Sequence, residues 1–224
     1  MTLKVVSFCS YLVAGEYPPE QNAFEAGAFI KAIKGKKVNG YAWLSMPGRK
    51  ARLKLTDENK EQAFKVFGRM AYAWLEESEN VKPPLVIVPV PNSSSTVGSK
   101  GRPRTALLAD ALAAECGTEH AEVVDALRWK EDLGATHSGS GSRNVRKLHS
   151  ILQSIETFEK GCRVVLVDDV KTTGAHLRAA EAMLRRKMEA VVPLALCAGR
   201  AVHLEDVPED CLVPAVDVLE DFDP

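Results

Sequence analysis

The pattern of hydrophobic and polar positions divides the chain into two segments near residue 80. In the first, a helix is predicted over Glu20–Lys34, and a second is predicted over Thr56–Glu77 from apolar residues at helical spacing. Between them, Val38–Leu44 and Arg49–Leu55 flank a turn and predict a β-hairpin. Residues 1–80 are therefore expected to form a small accessory α+β lobe.

After residue 80, apolar runs alternate with helical patterns. The predicted strands are Leu85–Val90, Ala121–Val124, Arg163–Asp168, Ala190–Cys197 and Leu212–Val218. Helices are predicted after the first and third of these, over Thr105–Cys116 and Ala175–Lys187. Such alternation is typical of an α/β core with a central parallel sheet and right-handed crossovers. Residues 81–224 are predicted to form that core.

The third predicted strand carries the most informative motif of the chain. Val164–Val167 is an unbroken aliphatic run, as a strand buried on both faces requires. Asp168 and Asp169 follow directly, where open α/β sheets place their ligands. Because two adjacent carboxylates repel each other, they require hydroxyl donors, a metal ion or water nearby. Ribose offers two neighbouring hydroxyls that meet this requirement.

A short polar turn connects the two carboxylates to the next helix. It contains Lys171, Thr172, Thr173 and Gly174. Backbone amides at a helix start are unpaired, and the helix dipole favours an anion there. Threonine hydroxyls add donors, and glycine allows close approach of the backbone. The turn therefore predicts a 5′-phosphate site beside the ribose. The plainer alternative is a solvated acidic pair followed by an ordinary capped turn.

The stretch DDVKTTG, residues 168–174, resembles the phosphoribosyl-pyrophosphate (PRPP) motif of type I phosphoribosyltransferases. The resemblance implies a parallel sheet flanked by helices and Mg²⁺-dependent transfer of phosphoribose from PRPP to a nitrogen acceptor. It implies that Asp168 and Asp169 hold the ribose hydroxyls. Separately, Asp169 is a candidate base toward an acceptor N–H. The residues implied for the 5′-phosphate are Lys171, Thr172, Thr173, Gly174 and Ala175. His176 departs from the pattern, since many members have threonine there.

The loop after the strand at 85–90 is the second piece of the predicted site. Its prolines and short polar side chains present hydroxyls and amides to an anion, and nearby arginines suit bidentate phosphate contacts. The loop corresponds in position to the family's pyrophosphate loop. The residues assigned to it are Asn92, Ser93, Ser94, Ser95, Arg102 and Arg104. Taken alone, the segment fits an ordinary exposed loop equally well.

A basic segment over residues 128–150 is the third piece. Glycine and serine in ATHSGSGSR, residues 135–143, leave the backbone little constrained. The segment predicts a mobile loop that closes over a polyanion, at the place in chain order where type I enzymes have one. The basic residues assigned to it are Arg128, Lys130, Arg143, Arg146 and Lys147. The alternative is a solvated basic linker.

Within the superfamily, the chain is similar to the competence-associated ComF-like branch. The similarity covers residues 85–197 and comprises VPVP, ALLADALA, Arg128, RNV at 143–145, and DDVKTTG. The amino-terminal zinc module of many ComF-like proteins is missing, so no role in DNA uptake is carried over. The five cysteines are scattered without a CxxC pair and predict neither a zinc site nor disulfides. No metal ligands are predicted, and Mg²⁺ is expected to be held mainly by PRPP and water.

Charge and composition narrow the classes of partner. The 224 residues include 29 basic and 30 acidic ones, so no general attraction to nucleic acid or membranes is implied. Nucleic acid is further disfavoured because no basic-aromatic surface pattern is evident from the sequence. The amino-terminal apolar run is too short to span a bilayer, and a cytoplasmic protein is expected. The oligomeric state is open, with a homodimer as the commonest oligomer.

Two functions are compatible with these patterns. The first is a Mg²⁺-dependent phosphoribosyltransferase acting on an unidentified nitrogen acceptor, chosen by a variable hood formed by the amino-terminal segment or residues 200–224. The second is a non-catalytic regulator or ComF-like partner protein that senses PRPP or a nucleoside 5′-monophosphate. Binding requires only DDVKTTG, whereas catalysis also requires a competent pyrophosphate clamp.

Overall fold

A computed structural model describes residues 2–13, 20–77, 84–117, 119–134, 144–157, 159, 161–220 and 222. The strands are β1 (Leu3–Ser7), β2 (Ser10–Leu12), β3 (Ala42–Leu44), β4 (Leu53–Leu55), β5 (Leu85–Pro89), β6 (Ala121–Val123), β7 (Leu127–Trp129), β8 (Leu152–Ser154), β9 (Arg163–Lys171), β10 (Val191–Val202) and β11 (Ala215–Leu219). The helices are α1 (Gln21–Ile33), α2 (Gln62–Glu77), α3 (Thr105–Cys116), α4 (Val145–Ile151) and α5 (Ala175–Met188). In this part of the chain, no helix combines the length and apolar character needed to cross a membrane.

The central sheet is mostly parallel, which confirms the predicted α/β class. Its strand order is β11-β1-β10-β9-β5-β6, and β2 pairs with the far end of β10. All these pairs are parallel except β1 with the edge strand β11. Two small antiparallel strand pairs lie outside the sheet: β3 with β4, which form a hairpin, and β7 with β8, which are joined by the segment that contains α4. The sheet brings the carboxyl ends of β5 and β9 to one edge.

Strand β9 is buried on both faces, as its aliphatic run predicts. Val165 and Val167 belong to a core shared with α1, α2 and α3. Val164 and Leu166 belong to a second core shared with α5, α4 and the β7–β8 strand pair. Alternating side chains therefore anchor β9 between two layers, which holds the residues that follow in a constant position.

The amino-terminal segment contributes directly to the sheet. β1 lies between β10 and β11, and α2 packs closely on α3, where a Cβ at Gly68 would lie 2.5 Å from the carbonyl oxygen of Ala111. The predicted division at residue 80 falls outside the described residues and stays a prediction. Within them, the segment that precedes the division and the segment that follows it share one core.

Several predicted boundaries are wrong because a local turn or the pairing of strands changes them. Helix α2 begins at Gln62 rather than Thr56, because Asn59 accepts a hydrogen bond from the Thr56 amide (2.7 Å) and residues 58–61 form turns. β9 continues to Lys171 because it pairs with Arg200 in β10. Residues 127–134 and 144–154 are not a continuous loop, since they contain β7, α4 and β8. Pairing of β7 with β8 supplies the hydrogen bonds that a loop would lack.

Candidate functional site

The site is assembled at the carboxyl edge of β5 and β9. Val88 lies opposite Leu166, Pro89 lies opposite Val167, and the Val90 amide donates to the Val167 carbonyl at 2.8 Å. The loop after β5 consequently starts beside Asp168. Two of the three predicted pieces, the acidic pair and the serine loop, are thus brought to the same edge of the sheet, although 76 residues separate Asn92 from Asp168.

Asp168 lies within β9 opposite Cys197 of β10 and is buried. One carboxylate oxygen, Oδ1, accepts a hydrogen bond from the Asp169 amide at 2.8 Å. Burial, followed by the adjacent Asp169 charge, raises the pKa of the Asp168 carboxyl well above its ordinary value. No basic side chain among the described residues forms an ion pair with it. A buried carboxylate in this condition favours a ligand that supplies hydroxyl donors or a cation.

Asp169 is partly exposed and lies near the first turn of α5. His176 in that turn contacts Trp129 of β7, with ring centroids 5.3 Å apart. Burial lowers the pKa of the His176 imidazole, and the negative charge of Asp169 opposes this shift. The Trp129 indole donates from Nε1 to the Pro91 carbonyl at 3.0 Å. Trp129 and His176 therefore connect the acidic motif to the loop after β5.

The turn between β9 and α5 has the geometry of an anion cradle. Thr172 and Thr173 are exposed, and the amides of Thr172, Thr173 and Gly174 meet no backbone acceptor among the described residues. The Ala175 amide has one weak acceptor, the Thr173 hydroxyl at 3.4 Å. Unpaired amides at the start of a 14-residue helix carry partial positive charge. The cradle therefore suits a phosphate group.

Gly174 is the residue that permits this cradle. Its φ is +77°, a left-handed conformation that L side chains rarely adopt. A Cβ at this position would also lie 2.6 Å from Cδ1 of Leu219, in the edge strand β11. Both the backbone conformation and the close approach of β11 therefore require glycine here.

Lys171 is bound by a carboxylate from the far edge of the sheet. Its Nζ donates to Oδ2 of Asp217 in β11 at 2.8 Å, and Nη1 of Arg200 lies 3.8 Å from Oδ1 of the same side chain. Arg200 also donates from Nε to the Ser10 hydroxyl at 2.9 Å. Two cations therefore converge on one anion beside the phosphate cradle.

The loop after β5 is organised around Asn92. The Asn92 carbonyl oxygen accepts from the Ser95 amide at 2.8 Å, and its side-chain Oδ1 accepts from the Ser95 hydroxyl at 2.7 Å. Oδ1 also accepts from the Arg104 amide at 3.3 Å, and Nδ2 donates to the Ser94 hydroxyl at 2.9 Å. Ser95 is buried, Ser93 is partly buried and Ser94 is exposed. Internal hydrogen bonds thus shape the loop and occupy the Ser95 hydroxyl.

The predicted arginines of the site have other partners. Arg102 binds Asp110 through two hydrogen bonds of 2.8 and 2.9 Å. The guanidinium of Arg104 lies against Gly35, in the space that a Cβ there would occupy. Arg128 is buried and donates from both terminal nitrogens to Asp125. Arg128 lies in β7, so its predicted place in a mobile loop is wrong; strand pairing and the bidentate ion pair hold it.

The remaining predicted loop residues lie farther along this segment. Lys130 donates from Nζ to the Ser150 carbonyl at 2.8 Å, which links the end of β7 to α4. Arg146 and Lys147 are exposed in the first turn of α4. Arg143, together with residues 135–142, lies outside the described residues. The predicted lid over a polyanion therefore stays a prediction.

The described residues contain no group of three or more histidine, cysteine, aspartate or glutamate side chains that would hold a metal ion. Asp168 and Asp169 are nevertheless hard oxygen donors, and Asp168 forms no ion pair with described residues. Mg²⁺ typically keeps several waters and takes few protein carboxylates beside substrate phosphates. The donor set fits such a water- and substrate-bridged ion and does not form an all-protein cage.

Two contacts at the candidate site could not be predicted from the sequence. Asp217 lies in β11, whose sequence is that of an ordinary edge strand. Only the order of strands in the sheet brings it to Lys171. Trp129 has no periodic signal that predicts a contact with His176. His176 differs from the threonine that many family members have at this position, and this difference was the one feature of the sequence that pointed to it.

No protein-family model matches the chain, and no curated protein matches it. The chain is similar to the solved adenine phosphoribosyltransferase of Thermoanaerobacter pseudethanolicus, with 19% identity and a TM-score of 0.38 over 71% of this chain and 83% of that one. The Leishmania donovani adenine phosphoribosyltransferase is 17% identical, with a TM-score of 0.40 over 85% of this chain and 71% of that one. A Staphylococcus aureus hypoxanthine phosphoribosyltransferase is 13% identical, with a TM-score of 0.36 over 63% of this chain and 74% of that one. The functional assignment rests on this chain's own residues.

Proposed function

We propose that the chain is a Mg²⁺-dependent phosphoribosyltransferase that binds PRPP and transfers its phosphoribosyl group to a nitrogen acceptor. The observation that carries the proposal is the sequence of groups along β9 and α5. A buried carboxylate without an ion-pair partner among the described residues precedes a glycine-dependent turn of unpaired amides at a helix start. That order matches a ribose diol followed by a 5′-phosphate.

Binding of the sugar phosphate begins with Asp168 and Asp169. Hydroxyls of the ribose donate to these carboxylates, which relieves the cost of burying Asp168 as an anion. The phosphate accepts hydrogen bonds from the amides of residues 172–175. Because both ends of the ribose phosphate are held by one strand and one helix, the anomeric carbon is oriented with little remaining freedom.

Transfer requires the bond between the anomeric carbon and pyrophosphate to lengthen as negative charge builds on the leaving group. The amides of Asn92, Ser93 and Ser94, which meet no backbone acceptor among the described residues, are the chain's candidates for holding that charge. Asp169 is assigned as the base that accepts the acceptor's N–H proton, and His176 lies beside it. Bound Mg²⁺ would neutralise part of the pyrophosphate charge, with Asp168 and Asp169 as outer ligands through water.

A second candidate function is PRPP or nucleotide sensing without turnover. One observation favours it: the charges that a pyrophosphate clamp would use are already paired, Arg102 with Asp110 and Arg128 with Asp125. Lys171 is paired as well, with Asp217. The sugar-phosphate cradle does not depend on these arginines, so binding would persist where catalysis fails.

Two measurements on the full chain test the proposal. Calorimetric titration with PRPP and Mg²⁺ should show saturable binding that is lost in Asp168→Asn/Asp169→Asn. Release of pyrophosphate across a panel of purine, pyrimidine and other nitrogen acceptors should then show turnover. Binding without release would favour the sensing function, and absence of binding would overturn both.

Glu205→Gln/Asp206→Asn is the matched control for the binding measurement. Both residues are exposed and lie in a short 3-10 helix at Leu204–Asp206. The control removes two adjacent carboxylates, as the double variant does, without touching the β9–α5 turn. Loss of PRPP binding in this control would show that the double variant acts through net charge alone.

A further inference from the structure

Positive charge is concentrated in one stretch of the amino-terminal segment. Residues 26–56 contain eight lysines and arginines and no aspartate or glutamate, which leaves 21 basic against 30 acidic residues in the rest of the chain. The near-zero net charge therefore conceals a segregated distribution. This stretch contains the β3–β4 hairpin, which contributes none of the residues assigned to the ribose-phosphate site.

The hairpin exposes one face that is both aromatic and basic. Ala42, Leu44 and Leu55 are buried, and Trp43 lies directly opposite Lys54. Strand alternation therefore turns the neighbouring side chains outward. We name as the outer hairpin face the residues Tyr41, Trp43, Arg52 and Lys54, all of which are exposed.

The two aromatic rings of this face, Tyr41 and Trp43, pack edge to face, and we call the pair the platform. Their centroids are 6.2 Å apart at an interplanar angle of 78°, and the ammonium of Lys54 lies 4.7 Å from the centroid of Tyr41. Tyr41 is 48% exposed and Trp43 is 37% exposed. Exposed aromatic rings beside cations suit stacking with planar bases.

The platform is held firmly on helix α1. Glu25 is buried, and its carboxylate accepts from the Trp43 amide at 3.1 Å and from Arg52 at 2.8 Å. Arg52 also donates to the Trp43 carbonyl. A face ordered before binding loses little conformational entropy when a ligand arrives. Among the described residues, Glu25 is the one acidic side chain that pairs with Arg52.

Further exposed cations flank the platform along the chain. Arg49 and Lys50, in the turn of the hairpin, are exposed, as are Lys36 and Lys37, and none of the four forms an ion pair with a described residue. Exposed cations of this kind hold the phosphates of a single strand, and one OB fold contacts roughly 4 to 16 nucleotides in this way.

We propose that the outer hairpin face binds single-stranded nucleic acid, with bases stacked on Trp43 and Tyr41 and phosphates held by the surrounding cations. This goes beyond the proposed phosphoribosyl transfer and contradicts the expectation drawn from net charge. An anionic membrane is the less favoured partner. Neighbouring residues cover more than half of the surface of each of these side chains. The rings therefore offer faces for stacking and do not protrude far enough to insert into a bilayer.

Fluorescence anisotropy with labelled oligothymidylate and oligouridylate of about 20 nucleotides, at about 50 mM salt, tests the proposal on the full chain. Saturable binding to either oligonucleotide supports it, and the oligonucleotide that binds more tightly identifies DNA or RNA as the preferred ligand. Tyr41→Leu/Trp43→Leu should weaken binding about tenfold or more, because two stacking surfaces are removed. Thermal melting monitored by circular dichroism verifies that this variant is folded.

The chain offers a matched control for charge. Arg49→Glu/Lys50→Glu should weaken binding about tenfold or more and reduce its salt dependence. Arg186→Glu/Lys187→Glu reverses an identical, equally exposed Arg-Lys pair at the end of α5 and should leave binding unchanged. Quenching of tryptophan fluorescence by unlabelled oligonucleotide should disappear in Trp43→Leu, although Trp74 and Trp129 remain.

Four results would overturn the proposal. They are absence of binding to both strands, equal binding of a duplex of the same length, equal loss in the Arg186/Lys187 control, and unchanged affinity in the aromatic variant. Binding to phosphatidylserine vesicles but not to either oligonucleotide would assign the face to membranes instead. PRPP titration is independent of all these outcomes, so failure here leaves the proposed function untouched.

Discussion

The ammonium of Lys171, at the start of the phosphate turn, lies 2.8 Å from Oδ2 of Asp217 in the edge strand β11. The two residues are 46 positions apart in the chain. Arg200 reaches the other oxygen of Asp217 at 3.8 Å. The edge strand therefore supplies the negative charge that balances two cations beside the cradle.

Asp217→Asn should destabilise the free protein and strengthen its response to ligand. Removing the shared anion leaves two partly buried cations uncompensated, which we expect to cost about 1–2 kcal/mol. PRPP or inorganic phosphate then becomes the counter-charge, so the ligand-induced rise in melting temperature should be larger than in the wild type. Thermal melts with and without ligand measure both effects.

Glu115→Gln is the control for this prediction. It breaks the ion pair of Glu115 with Arg69 (2.6 Å), between α3 and α2 and away from the cradle. It should lower the melting temperature without enlarging the ligand response. If Asp217→Asn instead abolished the ligand response, Asp217 would have to hold Lys171 in position and not simply neutralise it.

Asp168→Asn should stabilise the protein at neutral pH while removing ligand binding. The folded-state pKa of Asp168 is raised, mainly by burial, whereas the unfolded chain ionises near 3.8. Between these two pKa values the unfolded state holds fewer protons, so wild-type stability falls as pH rises through that window. Asparagine does not ionise and avoids this loss.

The stability difference between the two proteins should therefore depend on pH. Calorimetric melts at about pH 7 should show the variant melting higher, by roughly 2–4 °C for each kcal/mol gained, and the difference should vanish near pH 4. Asp206→Asn should show no difference at either pH. Equal melting of Asp168→Asn and wild type at pH 7 would contradict an uncompensated carboxylate at this position.

Gly174→Ala should destabilise the turn and abolish phosphate binding. The left-handed conformation costs an L residue about 1–2 kcal/mol, and the new methyl group would press on Leu219. Gly48→Ala separates the two causes, because Gly48 has φ +74° but no atom within 4 Å of the place that a methyl group would occupy. Denaturant unfolding should show a larger loss for Gly174→Ala, partly recovered by Gly174→Ala/Leu219→Ala. Equal losses at the two glycines would rule out the Leu219 contact.

The His176 imidazole should remain neutral to a lower pH than an ordinary histidine. Burial lowers its folded-state pKa below 6.5, so its contribution to stability is present above that value and is lost as pH falls through the folded pKa. A histidine-selective NMR titration should show this resonance among those titrating low, and His176→Gln should remove it. His149, whose pKa is lowered by burial and by three nearby cations, provides the comparison.

Fluorescence gives an independent reading of the same titration. Trp129 lies 5.3 Å from His176, so protonation of the imidazole should quench its emission in the same pH range. The His176→Gln variant should lack this quenching while keeping any change due to His149. A pH-independent emission in the wild type would contradict the contact between the two rings.

Local features of the chain predicted those parts of the fold whose energetics are local. The aliphatic run Val164–Val167 requires burial on both faces whatever its neighbours are, and it is buried on both. The helix at Ala175–Met188 follows from its own apolar stripe and from the glycine at 174. The acidic pair and the turn are contiguous, so their order along β9 and α5 was readable directly.

Contacts between distant segments could not be read in this way. Arg128 was assigned to a mobile loop because the segment that it opens is basic and rich in glycine and serine, yet Asp125 and the pairing of β7 with β8 hold it in a strand. Similarly, the net charge concealed the basic-aromatic face of the β3–β4 hairpin, which depends on which side chains strand pairing turns outward.

By itself, then, the sequence determined an α/β core with a candidate phosphate cradle over residues 168–175, because burial preference, helix capping and turn conformation act between near neighbours. The tertiary structure alone decided which charges are balanced and which remain open to a ligand. Asp217 reaches Lys171 only through the order of strands in the sheet, and Asp168 is left without an ion pair among the described residues only because of what packs around it. Coulomb interactions and desolvation depend on distance in space and not on distance along the chain.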